Sequence, residues 1–323
     1  MSTAVIDFAN ATKDYGSLKR IGPVSFSVNQ GEVVGFLGPN GSGKTTCIRL
    51  LLGLMKPSSG TVRVRGLDPV SQHVNALKKV GYSPELPNIQ TFLSPRELLT
   101  LVGKELGVPS TEAKKEIDEI LDLVGLSDYI DIKIQKFSKG MVQRLSIAQG
   151  MIGSPDVLVM DEPMIGLDPA GSAHFREVFR SFAKEKGGTI FLSSHIMQEV
   201  ESLCTSAIMI HKGRLLFSGP TDDIIGRVLG SNYLALEAEP IDENLIKQIS
   251  QVTGVEEVSR KENSPEGRVR LELKIERGRE IRPLVAETIM KASSKLYSMG
   301  YSENLLERTY IEALRRGNTG DQI

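Results

Sequence analysis

At 323 residues the chain exceeds what one small core needs and supplies material for two domains and a large buried sheet. Its 39 basic residues against 40 acidic ones leave a formal net charge of −1, which excludes a general positive coat for nucleic acid. Cys47 and Cys204 are the only cysteines, so neither a disulfide framework nor a four-cysteine zinc site can be built, and a reducing compartment is the simplest setting.

The opening "MSTAVIDFAN" has no basic region followed by an apolar run, and no segment approaches the ~20 apolar residues that span a bilayer, so a chain soluble by itself is expected. From Thr3 to about Pro220, short apolar runs alternate with amphipathic segments, the pattern of a mainly parallel sheet covered by helices. The first such run, "EVVGFLG", lacks polar alternation and predicts a strand buried on both faces. It leads into "LGPNGSGKTT" and then the apolar helix "TCIRLLLGL". Gly38, Pro39, Asn40, Gly41, Ser42, Gly43, Lys44, Thr45 and Thr46 thus sit between a buried strand and a helix start. Glycines there let backbone N–H groups curl around phosphate oxygens, and the helix start adds its positive dipole end. Lys44 is placed to reach the β- and γ-phosphates, and Thr45 to hold Mg²⁺.

Further along, Ser94-Pro95-Arg96-Glu97 fits a capping box with proline at the first helical position, opening the helix "PRELLTLVGKELG". A second helix is expected from Thr111 to Val124, and the two together form a helical insertion between parts of the sheet. The next helix start, in "KFSKGMVQRLSIAQGM", is almost bare: Ser138, Lys139 and Gly140 leave the backbone little covered. Such a start is an anion site in principle, while Ser138 by itself reads first as a plain N-cap.

"DVLVMDEP" predicts a strand ending at Asp161, suited to Mg²⁺, with Glu162 next, suited to orienting or deprotonating a water. Alone, an Asp-Glu pair after a strand is more often a solvated turn; the phosphate loop upstream reverses that. The strand "TIFLSS" precedes His195, from which a neutral imidazole can donate to a γ-phosphate. A lone histidine at a helix start is usually nothing more, so its role depends on this strand ending beside the others.

After "LLFSGPTDDI" the texture changes. Val269, Leu271, Leu273 and Ile275 alternate with Arg270, Glu272 and Lys274, which predicts a strand with one wet face. Around it the order reads strand, helix, strand, strand, helix, and a last helix near Asn304 to Arg316: a small α+β domain over 221–323, following a first domain over 1–220.

Taken in order, Tyr15, the phosphate loop, "VGYSPE", "FSKGM", "VLVMDEP", "IGLD" and "SSH" resemble the ATPase subunits of ATP-binding cassette (ABC) transporters over roughly residues 3 to 220. The resemblance implies an α/β P-loop NTPase cassette, with an antiparallel β part and a helical insertion, that binds ATP and Mg²⁺ and hydrolyses ATP. It further implies that Tyr15 stacks on adenine, that Ser138, Lys139, Gly140 and Met141 form the signature facing the ATP of a second subunit, that Asp168 belongs to an interface loop, and that His195 is the γ-phosphate switch. Taken singly, Tyr15 reads as a packed loop aromatic and Asp168 as a turn aspartate before Pro169.

The family's usual signature is Leu-Ser-Gly-Gly-Gln; here Phe137, Lys139 and Met141 replace three of the five. Glu85 stands where the family most often has glutamine: a carboxylate there either ligates Mg²⁺ or its water, or is a loop glutamate without a catalytic part. Ile89, Phe92 and Leu93 lie in the region that in this family meets the membrane partner; they either form a docking surface or pack the helical insertion. The implied partners are a transmembrane permease and a second copy of the chain, at the cytoplasmic face of the membrane, with no nucleic acid. "LLERTYIEAL" resembles the accessory domain of multidrug and antibiotic exporters, which implies export. One rival is a soluble cassette ATPase of ribosomes or DNA, which usually carries two cassettes or a coiled-coil or zinc insertion. The other is an ATP-binding switch without hydrolysis, against which Glu162 argues.

Overall fold

In the computed structural model, which describes residues 4–16, 20–229, 232–261, 268–276, 279–302 and 305–319, the contacts divide the chain into two units, Met1–Thr221 and Asp222–Ile323. The first unit runs β1 (Ala4–Asp14), β2 (Arg20–Asn29), β3 (Val33–Leu37), α1 (Lys44–Leu51), β4 (Ser59–Val64), α2 (His73–Leu77) and β5 (Val80–Ser83). It continues with α3 (Pro95–Glu105), α4 (Ser110–Leu123), α5 (Lys139–Met151), β6 (Val157–Asp161), α6 (Pro169–Lys186), β7 (Thr189–Ser194), α7 (Met197–Leu203), β8 (Ser206–His211) and β9 (Arg214–Pro220).

The apolar runs without polar alternation become the centre of a six-stranded sheet, ordered β5-β6-β7-β3-β8-β9. Every residue of β3, β6 and β7 is buried, as strands covered on both faces must be. All its pairings are parallel except β8 with β9, which is antiparallel. A separate antiparallel sheet, β2-β1-β4, lies beside it. Phe8 and Phe26 stack at 4.4 Å, Phe26 meets Phe36 at 5.8 Å, and Phe36 meets Phe191 at 5.5 Å. This aromatic run joins the small sheet to β3 and β7 in one core with Cys47, Ile48, Leu50 and Leu51 of α1. Burying each ring contributes about 2 kcal/mol and each favourable pair about 1 kcal/mol more. The segment between β3 and α1 is therefore anchored at both ends. Burial pushes the Cys47 thiol up to about 12 and raises that of Cys204 as well, so neither forms a thiolate at neutral pH.

The helical insertion is α3, α4 and α5 packed on one another. The expected capping box is present: the Ser94 hydroxyl accepts from the Glu97 N–H at 3.3 Å, and a Glu97 carboxylate oxygen accepts from the Ser94 N–H at 2.7 Å. α3 stops at Glu105, two residues before the sequence pattern suggests, α4 runs one residue earlier at each end than expected, and the phosphate-loop helix begins at Lys44 rather than Thr46.

The second unit contains α8 (Thr221–Leu229, whose first residue belongs to the first unit), β10 (Asn232–Glu239), α9 (Glu243–Ser250), β11 (Val255–Arg260), β12 (Val269–Ile275), α10 (Arg282–Lys291), β13 (Lys295–Tyr301) and α11 (Leu305–Thr319). Its sheet is antiparallel, in the order β11-β12-β10-β13. The core is built from Leu234, Leu236, Leu271, Leu273 and Ile275 against Leu245, Ile249, Val285 and Ile289. Two sequence expectations fail here. β13 and α8 are additional to the expected order. β13 was hidden because its alternation is broken by a register shift against β10, and because Ser298 and Gly300 are poor strand formers. The expected wet face of β12 is not wet at Glu272, which is 7% exposed and receives Ser302, Lys261 and Arg308. Burial drives that carboxyl's pKa up, but hydrogen bonds from Arg308 and Lys261 outweigh it and leave it below its ordinary value. Asn304 and Thr3, which bounded two of the expected segments, lie outside the described residues.

Candidate functional site

The parallel strands end together. Leu37 at the end of β3 pairs with Ser194 of β7, and Ser193 pairs with Asp161 at the end of β6. The loop after β3 takes left-handed backbone at Gly41 (φ 79°) and Gly43 (φ 116°), a conformation that side chains disfavour. Space gives a second reason: a Cβ on Gly38 would lie 2.3 Å from the Ile210 carbonyl oxygen, and one on Gly43 would lie 2.7 Å from Ile21 Cδ1. The Ser42 carbonyl accepts from the Gly213 N–H at 2.8 Å, so the turn between β8 and β9 fixes the loop from outside. α1 starts with no side-chain cap on its first N–H groups, which leaves them suited to an anion. Among the described residues the buried Ser42 hydroxyl has no hydrogen-bond partner.

Lys44, Asp161, Glu162 and His195 converge at this edge. The Lys44 ammonium donates to the Gly38 carbonyl at 2.6 Å and lies 3.2 Å from Glu162 Oε1, with both side chains 6% exposed. The second contact is an ion pair rather than an aligned hydrogen bond, since Glu162 Oε1 has no hydrogen-bond partner. Glu162 Oε2 accepts from the His195 backbone N–H at 3.3 Å and lies 2.9 Å from His195 Nδ1. Glu162 itself has φ 50°, which costs on the order of 1–3 kcal/mol for a non-glycine residue and persists only where the surroundings enforce it. Asp161 is 2% exposed and accepts from the Ser193 hydroxyl at 2.5 Å. On the other side of the strand end, the Ser194 hydroxyl accepts from the Ile196 N–H at 3.0 Å and donates to Glu199 at 2.9 Å, bracketing His195. Burial pushes the Glu199 carboxyl pKa up, against the Ser194 hydrogen bond and with the Glu162 charge adding to the rise.

Around this cluster, Thr45 and Thr46 are half-buried, while Pro39, Asn40 and Gly41 are exposed. Tyr15 is 45% exposed, with its hydroxyl 3.3 Å from Thr46 Oγ1 and 3.4 Å from Met55 Sδ. The phenol oxygen is thus tied to α1 and its adjoining turn, and the Lys13 ammonium lies over the half-exposed ring, 5.9 Å from its centroid. Glu85 is exposed two residues beyond β5, the strand beside β6, and makes no hydrogen bond or ion pair among the described residues. Phe92 is 68% exposed, whereas Ile89 and Leu93 are partly buried, and the Leu93 carbonyl accepts from the Ile134 N–H at 2.9 Å.

The signature residues lie elsewhere. Ser138 caps α5, its hydroxyl accepting from the Met141 N–H at 3.2 Å. Ser138, Lys139, Gly140, Met141, Arg144, Gly166 and Asp168 help line an open depression of about 540 Å³, to which no phosphate-loop residue contributes. Part of the bareness of this helix start has an explanation within the chain: a Cβ on Gly140 would lie 2.9 Å from the Gly166 carbonyl oxygen. Asp168 caps α6 by accepting from the Gly171 N–H at 3.2 Å, and Arg144 lies 3.5 Å from it. Gln143 Nε2 donates to the Pro163 carbonyl at 3.2 Å, so the loop after Glu162 is held onto α5. Sequence reasoning missed Gln143, Ser193 and Gly213; only the doubled serine before His195 was a visible signal.

Residues 21–165 match the family model described as ABC transporter. The chain is 41% identical over 244 residues to the bacitracin transport ATP-binding protein BcrA of Bacillus licheniformis, covering 76% of this chain and 77% of that protein. It is 32% identical over 311 residues to the linearmycin resistance ATP-binding protein LnrL of Bacillus subtilis, covering 95% and 97% respectively. A solved ATP-binding subunit of an ABC transporter superposes with a TM-score of 0.65 at 30% identity, covering 70% of this chain and 93% of that one. With the ordered motifs, the strand-edge geometry and these relatives in agreement, the chain belongs to the ABC transporter ATP-binding proteins: it is an ATPase subunit that powers transport through a separate transmembrane permease.

Proposed function

We propose that this subunit binds two ATP molecules as a homodimer, each between the phosphate loop of one copy and the signature helix of the other, and that hydrolysis drives export at the cytoplasmic face of the membrane. The carrying observation is the separation of two half-sites: Lys44, Asp161, Glu162 and His195 converge on one edge, whereas the Ser138 depression includes none of the phosphate loop. Each half is incomplete alone, and two-fold pairing completes both.

Within a half-site, the N–H groups of the loop and of the α1 start hold the phosphates, and the half-exposed Tyr15 ring stacks on adenine. A γ-phosphate competes with Glu162 for the Lys44 ammonium, which frees Glu162 Oε1 to accept from a water. His195, bracketed by Ser194 and Glu199, both orients Glu162 and reaches toward the γ-phosphate. The donor set fits Mg²⁺: the Thr45 hydroxyl and the buried Asp161 carboxylate are hard oxygen donors that would hold it, and the buried Ser42 hydroxyl, without a partner among the described residues, lies in the same loop. Among the described residues no group of three or more His, Cys, Asp or Glu could cage a metal alone, which suits an ion shared with phosphates. Held there, Mg²⁺ would supply neutralisation of developing phosphate charge. Glu85 is close enough along the chain to this edge to join that shell or to serve only as an exposed loop residue; its exposure and lack of partners favour the latter.

Among the described residues no helix is long and apolar enough to cross a membrane, which agrees with attachment through the permease. The names of the two relatives, bacitracin transport and linearmycin resistance, support export, and the alignment along 95% of the chain supports an accessory role for the second unit within that architecture. The test is dimer formation: Glu162→Gln with ATP should sediment as a dimer, and adding Ser138→Arg should leave a monomer. A dimer insensitive to Ser138→Arg would overturn the split site.

A further inference from the structure

The Ser193 hydroxyl sits between the two carboxylate residues that the proposed reading makes central. It donates to Asp161 Oδ1 at 2.5 Å and accepts from the Glu162 backbone N–H at 3.0 Å. The direction of both bonds is fixed by chemistry. An ionised carboxylate only accepts, a backbone N–H only donates, and a hydroxyl carries one proton and two lone pairs, so Ser193 satisfies both neighbours at once. Its side chain is fully buried, so no water can substitute for it. The residue owes its position to register: Ser193 of β7 pairs with Asp161 of β6 on one side and with Phe36 of β3 on the other, in the centre of the sheet.

Glu162 needs such a support. Its left-handed backbone is unfavourable, and its carboxylate is held by Lys44 and His195. Those two contacts act on the side chain; among the described residues Ser193 supplies the side-chain partner of its backbone N–H. The same hydroxyl removes one rotational choice from the Asp161 carboxylate by holding its Oδ1.

We propose that Ser193 is a positioning residue for ATP hydrolysis: one hydroxyl sets the orientation of the Asp161 carboxylate and holds the Glu162 backbone in its left-handed conformation. The proposal rests on the reading of Asp161 as a Mg²⁺ ligand and Glu162 as the residue that activates water. Ser193 touches neither substrate nor metal. Its effect runs through its two neighbours.

The test uses full-length Ser193→Ala and Ser193→Thr, the second keeping the hydroxyl. In protein without nucleotide, Ser193→Ala should speed hydrogen exchange of the Glu162 amide by about tenfold, the equivalent of one lost charge-assisted or buried hydrogen bond. The Mg²⁺ concentration that half-saturates the Mg²⁺-dependent part of ATP binding should rise by about as much, a quantity that does not depend on the fraction of folded protein. With Mg²⁺ saturating, turnover should fall about tenfold with little change in KM for ATP, since neither bond is made to the nucleotide itself. Ser193→Thr should restore all three. Asp161→Asn and Glu162→Gln run in parallel keep two failures apart. If those variants lose turnover while Ser193→Ala keeps wild-type exchange, Mg²⁺ dependence and turnover, or merely melts at a lower temperature, the positioning role is overturned alone. If Asp161→Asn and Glu162→Gln themselves keep wild-type turnover, the reading of the site falls and the role of Ser193 with it.

Discussion

The two edges of the first unit that carry motif residues differ in how far they satisfy themselves. At the strand ends, Lys44, Asp161, Glu162 and Ser193 are buried and joined by short contacts, with His195 closing the group. At the start of α5, the Ser138 hydroxyl bonds to its own helix turn, and Lys139, Gly140 and Met141 border an open depression. The first arrangement is close-knit before substrate arrives, and on the proposed reading only its Lys44–Glu162 pair has to part for a γ-phosphate. The second has helix N–H groups and a lysine facing solvent, and it becomes a site only when an anion is brought to it. On the proposed reading one chain thus carries one finished half and one waiting half. The loop from Pro163 to Asp168 connects them, held to α5 by Gln143 and by the Gly140–Gly166 approach.

The largest effect expected is on the finished half. Glu162→Gln should keep ATP binding and slow phosphate release by at least ~100-fold, the lower range for loss of a general base. Phosphate release at the wild-type rate would remove Glu162 from that role and make the buried cluster structural.

Mixing variants tests whether the two halves meet across chains. Lys44→Ala and Ser138→Arg should each be inactive alone. Unfolded, mixed and refolded together, about half of the random dimers should be heterodimers with one intact site, returning as much as roughly a quarter of wild-type ATPase activity if single sites fire independently. Cross-linking should report the heterodimers and nucleotide counting their closure, so that absent recovery in closed heterodimers means both sites must be intact. Full activity of Ser138→Arg alone would mean that the waiting half faces nothing catalysis requires.

Asp168 separates capping from interface duty. Asp168→Ala should lower stability by about 1 kcal/mol through loss of the α6 cap, whereas Asp168→Asn keeps a capping oxygen and should melt like wild type. A slower ATPase in the well-folded Asn variant would give the aspartate its interface role. The smallest effect is expected at Glu85: as an exposed residue without partners, Glu85→Gln should leave basal turnover within about twofold. Glu85→Ala that behaves the same with the permease present would confirm a plain loop residue. Impairment of Glu85→Ala alone would assign it to coupling.

Much of the finished half could be read along the chain because its parts are local: a strand without polar alternation, glycines where the backbone must turn left-handed, and acidic residues directly after another buried strand. The strands β3, β6 and β7 and the capping box at Ser94 follow from patterns a few residues long. What could not be read was pairing across the sheet. Nothing near Ser193 in the sequence says that it will sit opposite Asp161, because register is set by the packing of whole strands. Gly213 beneath the phosphate loop and Gln143 beneath the loop after Glu162 are equally distant in sequence from what they hold. In the second unit, Glu272 looked solvent-facing by alternation, and only the arrival of Ser302 and Arg308 from later segments made it buried and paired. β13 was obscured for the same reason: a short strand broken by a register shift has little pattern of its own and forms because β10 offers it an edge. Sequence by itself determined the chemistry available to this protein, since the phosphate loop and the acidic pair are written in adjacent residues. Tertiary structure decided which of those groups touch, because hydrogen bonds and ion pairs depend on ångström distances that only packing across the sheet fixes.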